Sequence, residues 1–317
     1  MSTTTRREFL YQMAGTAALG LLAPSCFSSK KNQSSGQPFF EISLAEWSFH
    51  KALFAKQMTN LDFPVVAKNR FGINAVEYVN QFFMDKAKDT AYLNELLKRC
   101  TDNGVKNHLI MCDAEGELGN LEKSKRMEAV ENHYKWVDAA KYLGCITIRV
   151  NTFGQGDPME VQKAAAESLS ILGEYAAKQN MNVIVENHGG NTSNGQWMVG
   201  LMKAVNRSNV GVLPDFNNFC IRRESGKQWE GKCVESYDRY KGVQEMMPYA
   251  KGASAKTMDF DAAGNCVETD YNKMFDIIKK SGFHGYIGIE YEGEHLSEDE
   301  GIRKTKALLE KVAARYA

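Results

Sequence analysis

Val183-Ile184-Val185-Glu186, Val210-Gly211-Val212-Leu213-Pro214-Asp215 and Tyr286-Ile287-Gly288-Ile289-Glu290 are three short apolar runs, each ending on a carboxylate. An unpaired anion at the end of a buried strand costs several kcal/mol unless it meets a cation, a metal or a proton, so three converging anions call for a shared positive partner. A bound divalent cation is the simplest such partner.

Working outward from these runs, short apolar segments alternate with longer amphipathic ones from Phe39 onward. The strands expected are Glu41–Phe49, Ala75–Val79, Asn107–Cys112, Cys145–Val150, Asn182–Glu186, Gly211–Asp215, Gly252–Lys256 and Tyr286–Glu290. Helical periodicity covers Thr90–Asn103, Met127–Leu143, Val161–Gln179, Tyr237–Tyr249, Tyr271–Ser281 and Ser297–Tyr316, and several of these stretches stop at a glycine just before the next strand. Eight strand–helix units predict a single closed (β/α)₈ barrel of the α/β class over residues 39–317. An open doubly wound sheet would more often show a glycine-rich phosphate loop after its first strand, and none follows Phe49. In such a barrel the chemistry lies at the C-terminal ends of the strands, where the three carboxylates sit. The connection from Phe216 to Ser236 would overhang that face as a lid or specificity loop.

Strand alternation places Ile184, Glu186 and His188 on one face of the fifth run, Gly211, Leu213 and Asp215 on one face of the sixth, and Gly288 and Glu290 on one face of the eighth. On the seventh, Ser254 shares a face with Lys256. Trp47, Glu77, Arg149, Asn151 and Asn218 end or follow other strands as candidate sugar-binding groups, with Trp47 either a stacking platform or ordinary packing. Arg149 could instead neutralise Glu186 or Glu77. The acids Glu292, Glu294, Glu298, Asp299 and Glu300 read as a solvated loop and the first turn of the last helix.

The pattern of Glu186-Asn187-His188, Asp215 with Asn218 three residues on, and Glu290 resembles the xylose isomerase-like superfamily of sugar isomerases and epimerases. The resemblance implies that Glu186, Asp215 and Glu290 hold a divalent metal and that Glu186 and Glu290 move the proton. The chain departs from that family at the seventh strand: where it usually reads His-x-Lys-Asp, this sequence has Ser254-Ala255-Lys256-Thr257, placing Ser254 at the histidine ligand's position. Oxygen ligands suit magnesium, manganese or calcium better than zinc, and His188 could add a nitrogen. A metal-free site, with the Lys256 ammonium neutralising the acids, is the alternative.

Such a site abstracts a proton beside a carbonyl, with the metal or Lys256 stabilising the enediolate. Isomerisation or epimerisation of an unphosphorylated sugar follows, or elimination of a leaving group from a keto-sugar or keto-glycoside. An endonuclease IV-like metallo-hydrolase would need a histidine-rich cluster and a basic groove, which the sequence lacks, and a non-catalytic sugar-binding barrel is the remaining alternative.

Composition sets the frame: 317 residues, 43% hydrophobic and 25% charged, give enough chain for one large core. Lysine plus arginine and aspartate plus glutamate both number 39, leaving no excess positive field for nucleic acid, so a small carbohydrate is the expected partner. Residues 1–25 resemble a twin-arginine export signal, with Thr5-Arg6-Arg7-Glu8-Phe9-Leu10 followed by a small-residue apolar stretch. That stretch closes on Leu22-Ala23-Pro24-Ser25-Cys26, a loose lipoprotein box, so the expectation is a periplasmic protein anchored through a lipid on Cys26, its only link to a membrane. Residues 26–38 then form a polar tether. Cys220 and Cys233 flank a polar insert and could bridge it in an oxidising compartment, and the other cysteines read as small buried residues.

Overall fold

The computed structural model describes residues 39–316; the export signal, the tether and Cys26 lie outside the described residues. Eight parallel strands, β1 (Glu41–Ala45), β2 (Ala75–Val79), β3 (Lys106–Met111), β4 (Thr147–Val150), β5 (Asn182–Glu186), β6 (Val210–Leu213), β9 (Ala253–Thr257) and β10 (Tyr286–Tyr291), run in the order β6-β5-β4-β3-β2-β1-β10-β9. Backbone bonds from Lys251 N to Val212 O, Ser254 N to Pro214 O and Phe216 N to Ser254 O join the two ends. The sheet is therefore a (β/α)₈ barrel. Two short antiparallel strands, β7 (Cys220–Arg223) and β8 (Cys233–Ser236), form a separate hairpin between β6 and β9.

Helices α1 (His50–Phe54), α2 (Phe63–Phe71), α3 (Thr90–Asn103), α4 (Lys123–Tyr142), α5 (Pro158–Ala177), α6 (Gly195–Val205), α7 (Arg239–Met246), α8 (Tyr271–Lys280) and α9 (Glu298–Ala313) fill the connections. Their starts are chemical: Asp89, Asp157, Asn194, Asp238 and Asp270 each accept first-turn N–H groups, and Ser297 with Glu300 forms a capping box. The Asp157 cap starts α5 three residues before the apolar period shows itself, and α4 starts four residues early because its polar first turn, Lys123-Ser124-Lys125-Arg126, carries no hydrophobic signal. Gly104, with φ at 62°, lets the chain leave α3 in the left-handed conformation and enter β3.

Strand alternation divides the core in two. Outward-facing Val76, Tyr78, Ile110, Ile148, Val183, Val185, Ala255 and Ile289 join the helices in the main cluster. Inward-facing Ala45, Val79, Leu109, Met111, Ile184 and Leu213 form a small apolar plug, capped at the strand ends by Trp47 and Phe82. β1 is shorter than the expected Glu41–Phe49: a 3₁₀ turn, Glu46–Phe49, replaces its second half. The cause is the buried Glu46 carboxylate, which accepts bonds from Asn60 Nδ2 and Val79 N and holds the chain in a turn. Trp47 thus sits in that turn and not on a strand.

Candidate active site

The plug supports the three acids. Glu186 ends β5, Asp215 follows β6 by two residues, and Glu290 lies one residue before the end of β10. One oxygen from each lies within 4.8 Å of the other two, and all three residues are buried, with Glu290 the most exposed at 4%. Lys256 of β9 brings its ammonium to 3.7 Å from Asp215 Oδ2, 3.8 Å from Glu290 Oε2 and 3.2 Å from Glu292 Oε1. Ser254, one layer deeper on the same face, donates its hydroxyl to Glu290 Oε2 at 2.6 Å. On the opposite side, Arg149 of β4 donates to Asp113 Oδ1 at 2.6 Å and sets its Nε 3.0 Å from Glu186 Oε2. The Nε–H is not aligned with that oxygen, so the contact with Glu186 is an ion pair without a hydrogen bond.

Asn218 ties these groups together. Its backbone N–H donates to Asp215 Oδ1, its Nδ2 to Glu186 Oε1, and its Oδ1 accepts from Lys256. Asn187 fixes the loop beneath through bonds to the backbone of Asp215 and Asn218. The second oxygen of Asp215, Oδ2, is buried and accepts no hydrogen bond.

Charge bookkeeping shows what the cluster lacks. Glu186, Asp215, Glu290, Glu292 and Asp113 face two cations, Lys256 and Arg149. Burial pushes Glu186 up to about 7 against the pull of Arg149 and Lys256. Burial also holds Glu290 well above the usual carboxylate range, with Lys256 opposing and Glu186 and Glu292 adding to the rise. Burial disfavours the Lys256 charge, but Asp215, Glu290, Glu292 and Glu186 outweigh it and keep the amine protonated. Asp113, although buried, is held below its ordinary value by Arg149. The donor set fits a hard divalent cation: three clustered carboxylates, an Asp215 oxygen that accepts no hydrogen bond and an excess of negative charge.

The structure relocates several groups expected at the mouth. Glu77 lies deep in the barrel, 1% exposed, bonded to Ser43 and packed under Gly288, where a Cβ would come within 2.7 Å of its carboxylate; it reaches no mouth. Arg149 is buried between Asp113 and Glu186 and is placed to neutralise them, not to meet a ligand. His188 stands apart from the three acids, its Nδ1 bonded to Asn151 Oδ1, while Asn151 Nδ2 donates to Asp113. Ser254 spends its proton on Glu290. Trp47 is half-buried, stacked between His50 and Phe82. Glu292 corrects the solvated-loop expectation because it pairs with Lys256 inside the site. Of the remaining acids in that stretch, Glu298 accepts the Lys51 and Ala52 N–H groups and Glu300 caps α9. Asp113 and Glu292 were missed, although each continues an inward strand alternation by one further step: Leu109, Met111, Asp113 and Gly288, Glu290, Glu292.

The Phe216–Ser236 connection forms the β7–β8 hairpin, closed by a Cys220–Cys233 disulfide. Cys100, Cys112, Cys145 and Cys266 are buried free thiols, as expected.

Comparison with known families supplies the name of this arrangement. The xylose isomerase-like TIM barrel family matches residues 66–312. The chain belongs to that family. Among solved structures, the IOLI protein with a bound zinc atom superposes with a TM-score of 0.67 at 15% identity, over 87% of this chain and 99% of that one. A Mycobacterium smegmatis xylose isomerase-like TIM barrel protein in complex with magnesium gives 0.63 at 15%, over 87% and 98%. The 3-keto-D-glucoside 4-epimerase YcjR from E. coli gives 0.60 at 12%, over 86% and 99%. At these identities the likeness is one of fold. Comparison with curated proteins returned no match.

Proposed function

We propose that this xylose isomerase-like barrel is an enzyme that moves a proton on the carbon beside the carbonyl of an unphosphorylated sugar or sugar derivative, giving isomerisation or epimerisation. The observation that carries the reading is the convergence of Glu186, Asp215 and Glu290 on one point with the Lys256 ammonium beside them. Glu186 takes the proton as base and Glu290 returns one as acid, burial raising the proton affinity of both carboxyls. Ser254 fixes the Glu290 carboxyl through its hydrogen bond, and Asn218 fixes Glu186. Lys256 supplies positive charge next to the oxygen on which negative charge develops. Glu186, Asp215 and Glu290 would hold a divalent cation, magnesium, manganese or calcium in preference to zinc, and such an ion adds Lewis-acid stabilisation of the same oxygen.

One feature favours a neutral substrate. Arg149 and Lys256, the cations within the cluster, are both committed to carboxylates, which leaves neither to receive a phosphate. The raised proton affinity of Glu290 also supports a second reading, in which the enediolate expels a group from the next carbon and Glu290 protonates it, a lyase reaction on a keto-glycoside.

The test is to incubate the protein with keto-sugars and keto-glycosides in heavy water and follow the carbon next to the carbonyl by NMR. Deuterium entering that carbon supports the reading, release of an aglycone selects the lyase form, and absence of both across the panel contradicts it.

The enzyme is exported and anchored by lipid on Cys26, a reading that the Cys220–Cys233 disulfide supports because such bonds persist in oxidising compartments. Cys26→Ser should move the protein from the membrane fraction to the soluble periplasm; unchanged membrane association would oppose the anchor.

A further inference from the structure

A cavity of about 200 Å³ opens among the segments that follow β4, β5 and β6. Its walls are the segment after β4 from Thr152 to Gly156, the segment after β5 from Gly189 to Thr192, and the hairpin residues Cys220–Arg223 and Gly226–Gln228. Two of these walls begin one residue beyond Asn151 and His188, the pair bonded to each other on the Arg149 side of the site. The cavity is therefore continuous in sequence with the groups that flank Glu186.

The hairpin is built into this place. Gln228 Nε2 donates to His188 O at 2.8 Å, and Trp229 packs on the His188 ring at 4.7 Å and edge-on to Phe153 at 6.3 Å. The disulfide ties both hairpin strands at the same rim. The lining chemistry selects the occupant. Lys227 is paired with Glu230 and Arg222 with Glu235, while the Arg223 guanidinium is held by the carbonyls of Gln228 and Gly231. Cations so engaged do not select a phosphate or carboxylate. Backbone groups of a glycine-rich wall, with the nearby rings of Phe153 and Trp229, suit a neutral ring. The volume is below the 300–1,000 Å³ of sites for larger ligands, so it holds about one ring.

We infer that this cavity is a second subsite that takes the neutral aglycone ring of a keto-glycoside whose carbonyl-bearing sugar lies in the carboxylate mouth. The inference rests on the proposed sugar chemistry and narrows its substrate from a free keto-sugar to a keto-glycoside. Ile221, on the hairpin wall, and the disulfide that positions it determine this preference.

Equilibrium titration of the full chain with matched pairs tests it: the ring-keto derivatives of glucose, galactose and mannose, each against its phenyl β-glycoside that keeps the ring ketone. For at least one pair the glycoside should bind tenfold or more tightly than the free sugar. Ile221→Trp, which fills the cavity, should bring that ratio near one, and the double variant Cys220→Ser, Cys233→Ser should lower it in the same direction if the tryptophan variant fails to fold. Equal affinities in every pair that binds would overturn the subsite and leave the proton-transfer reading standing, as would a ratio that both variants preserve. Failure of every sugar to bind would overturn both.

Discussion

Glu77 and Glu290 are both buried acids inside one barrel, and each accepts a serine hydroxyl, from Ser43 at 2.5 Å and from Ser254 at 2.6 Å. Glu77 sits in the lower layer with no ion-pair partner, and burial alone, opposed by Ser43 and by Arg149 at a distance, raises it to about 7. Glu290 sits at the strand ends among Glu186, Asp215, Glu292 and Lys256, so its high affinity for a proton comes from burial and crowding together. The difference teaches that a buried acid with a hydrogen-bond donor is a structural unit, and that convergence with other charges makes it a site.

The largest expected effect breaks the comparison at its reactive end. Glu186→Gln should lower the rate of solvent deuterium incorporation into a turned-over sugar by about 10²–10⁴-fold while leaving the circular dichroism spectrum unchanged. A loss under tenfold would remove Glu186 from proton transfer. Next, Lys256→Met leaves four acids without their central cation and should cost about 3–5 kcal/mol in denaturant unfolding. Manganese should recover part of that loss, adding about 2.7 kcal/mol at a hundredfold excess over its dissociation constant. Insensitivity of the variant to manganese would favour the lysine-only site.

Glu77→Gln sharpens the structural side through pH. An acid whose folded value is raised from 4.5 to about 7 contributes stability that is full below 4.5 and is lost as pH rises through 7. Glutamine cannot ionise, so between about pH 4 and about pH 8 the stability difference should move in the variant's favour by about 3 kcal/mol. A pH-independent difference would show that Glu77 is not a buried neutral acid. The smallest effect is expected from Ser254→Ala, about 1 kcal/mol in unfolding free energy, together with a shifted pH–rate profile because Glu290 loses its donor.

Much of this was legible in the sequence because strands impose a strict period of two. Ala75–Val79 and Asn182–Glu186 have the expected bounds, and the faces read from alternation place Glu186, Asp215, Lys256 and Glu290 together. The same rule continued one step further would have found Asp113 and Glu292. Depth was not legible: alternation says that Glu77 points inward but not how far below the strand ends it lies, which depends on the stagger of neighbouring strands and on Gly288 leaving room for it. The turn at Glu46–Phe49 was hidden because its cause, a buried glutamate bonded to residues 60 and 79, joins positions that no local pattern connects. The cavity was equally hidden, since its walls come from three loops that meet only in the fold.

The most direct measurement compares Glu290→Gln with Glu77→Gln in one heavy-water exchange experiment on the same sugar. Loss of at least a hundredfold in the Glu290 variant, with the Glu77 variant within a few-fold of the parent, is the expected result. Equal rates in all three proteins, or a loss confined to the Glu77 variant, would contradict the claim that the three acids at the barrel's strand ends carry the chemistry.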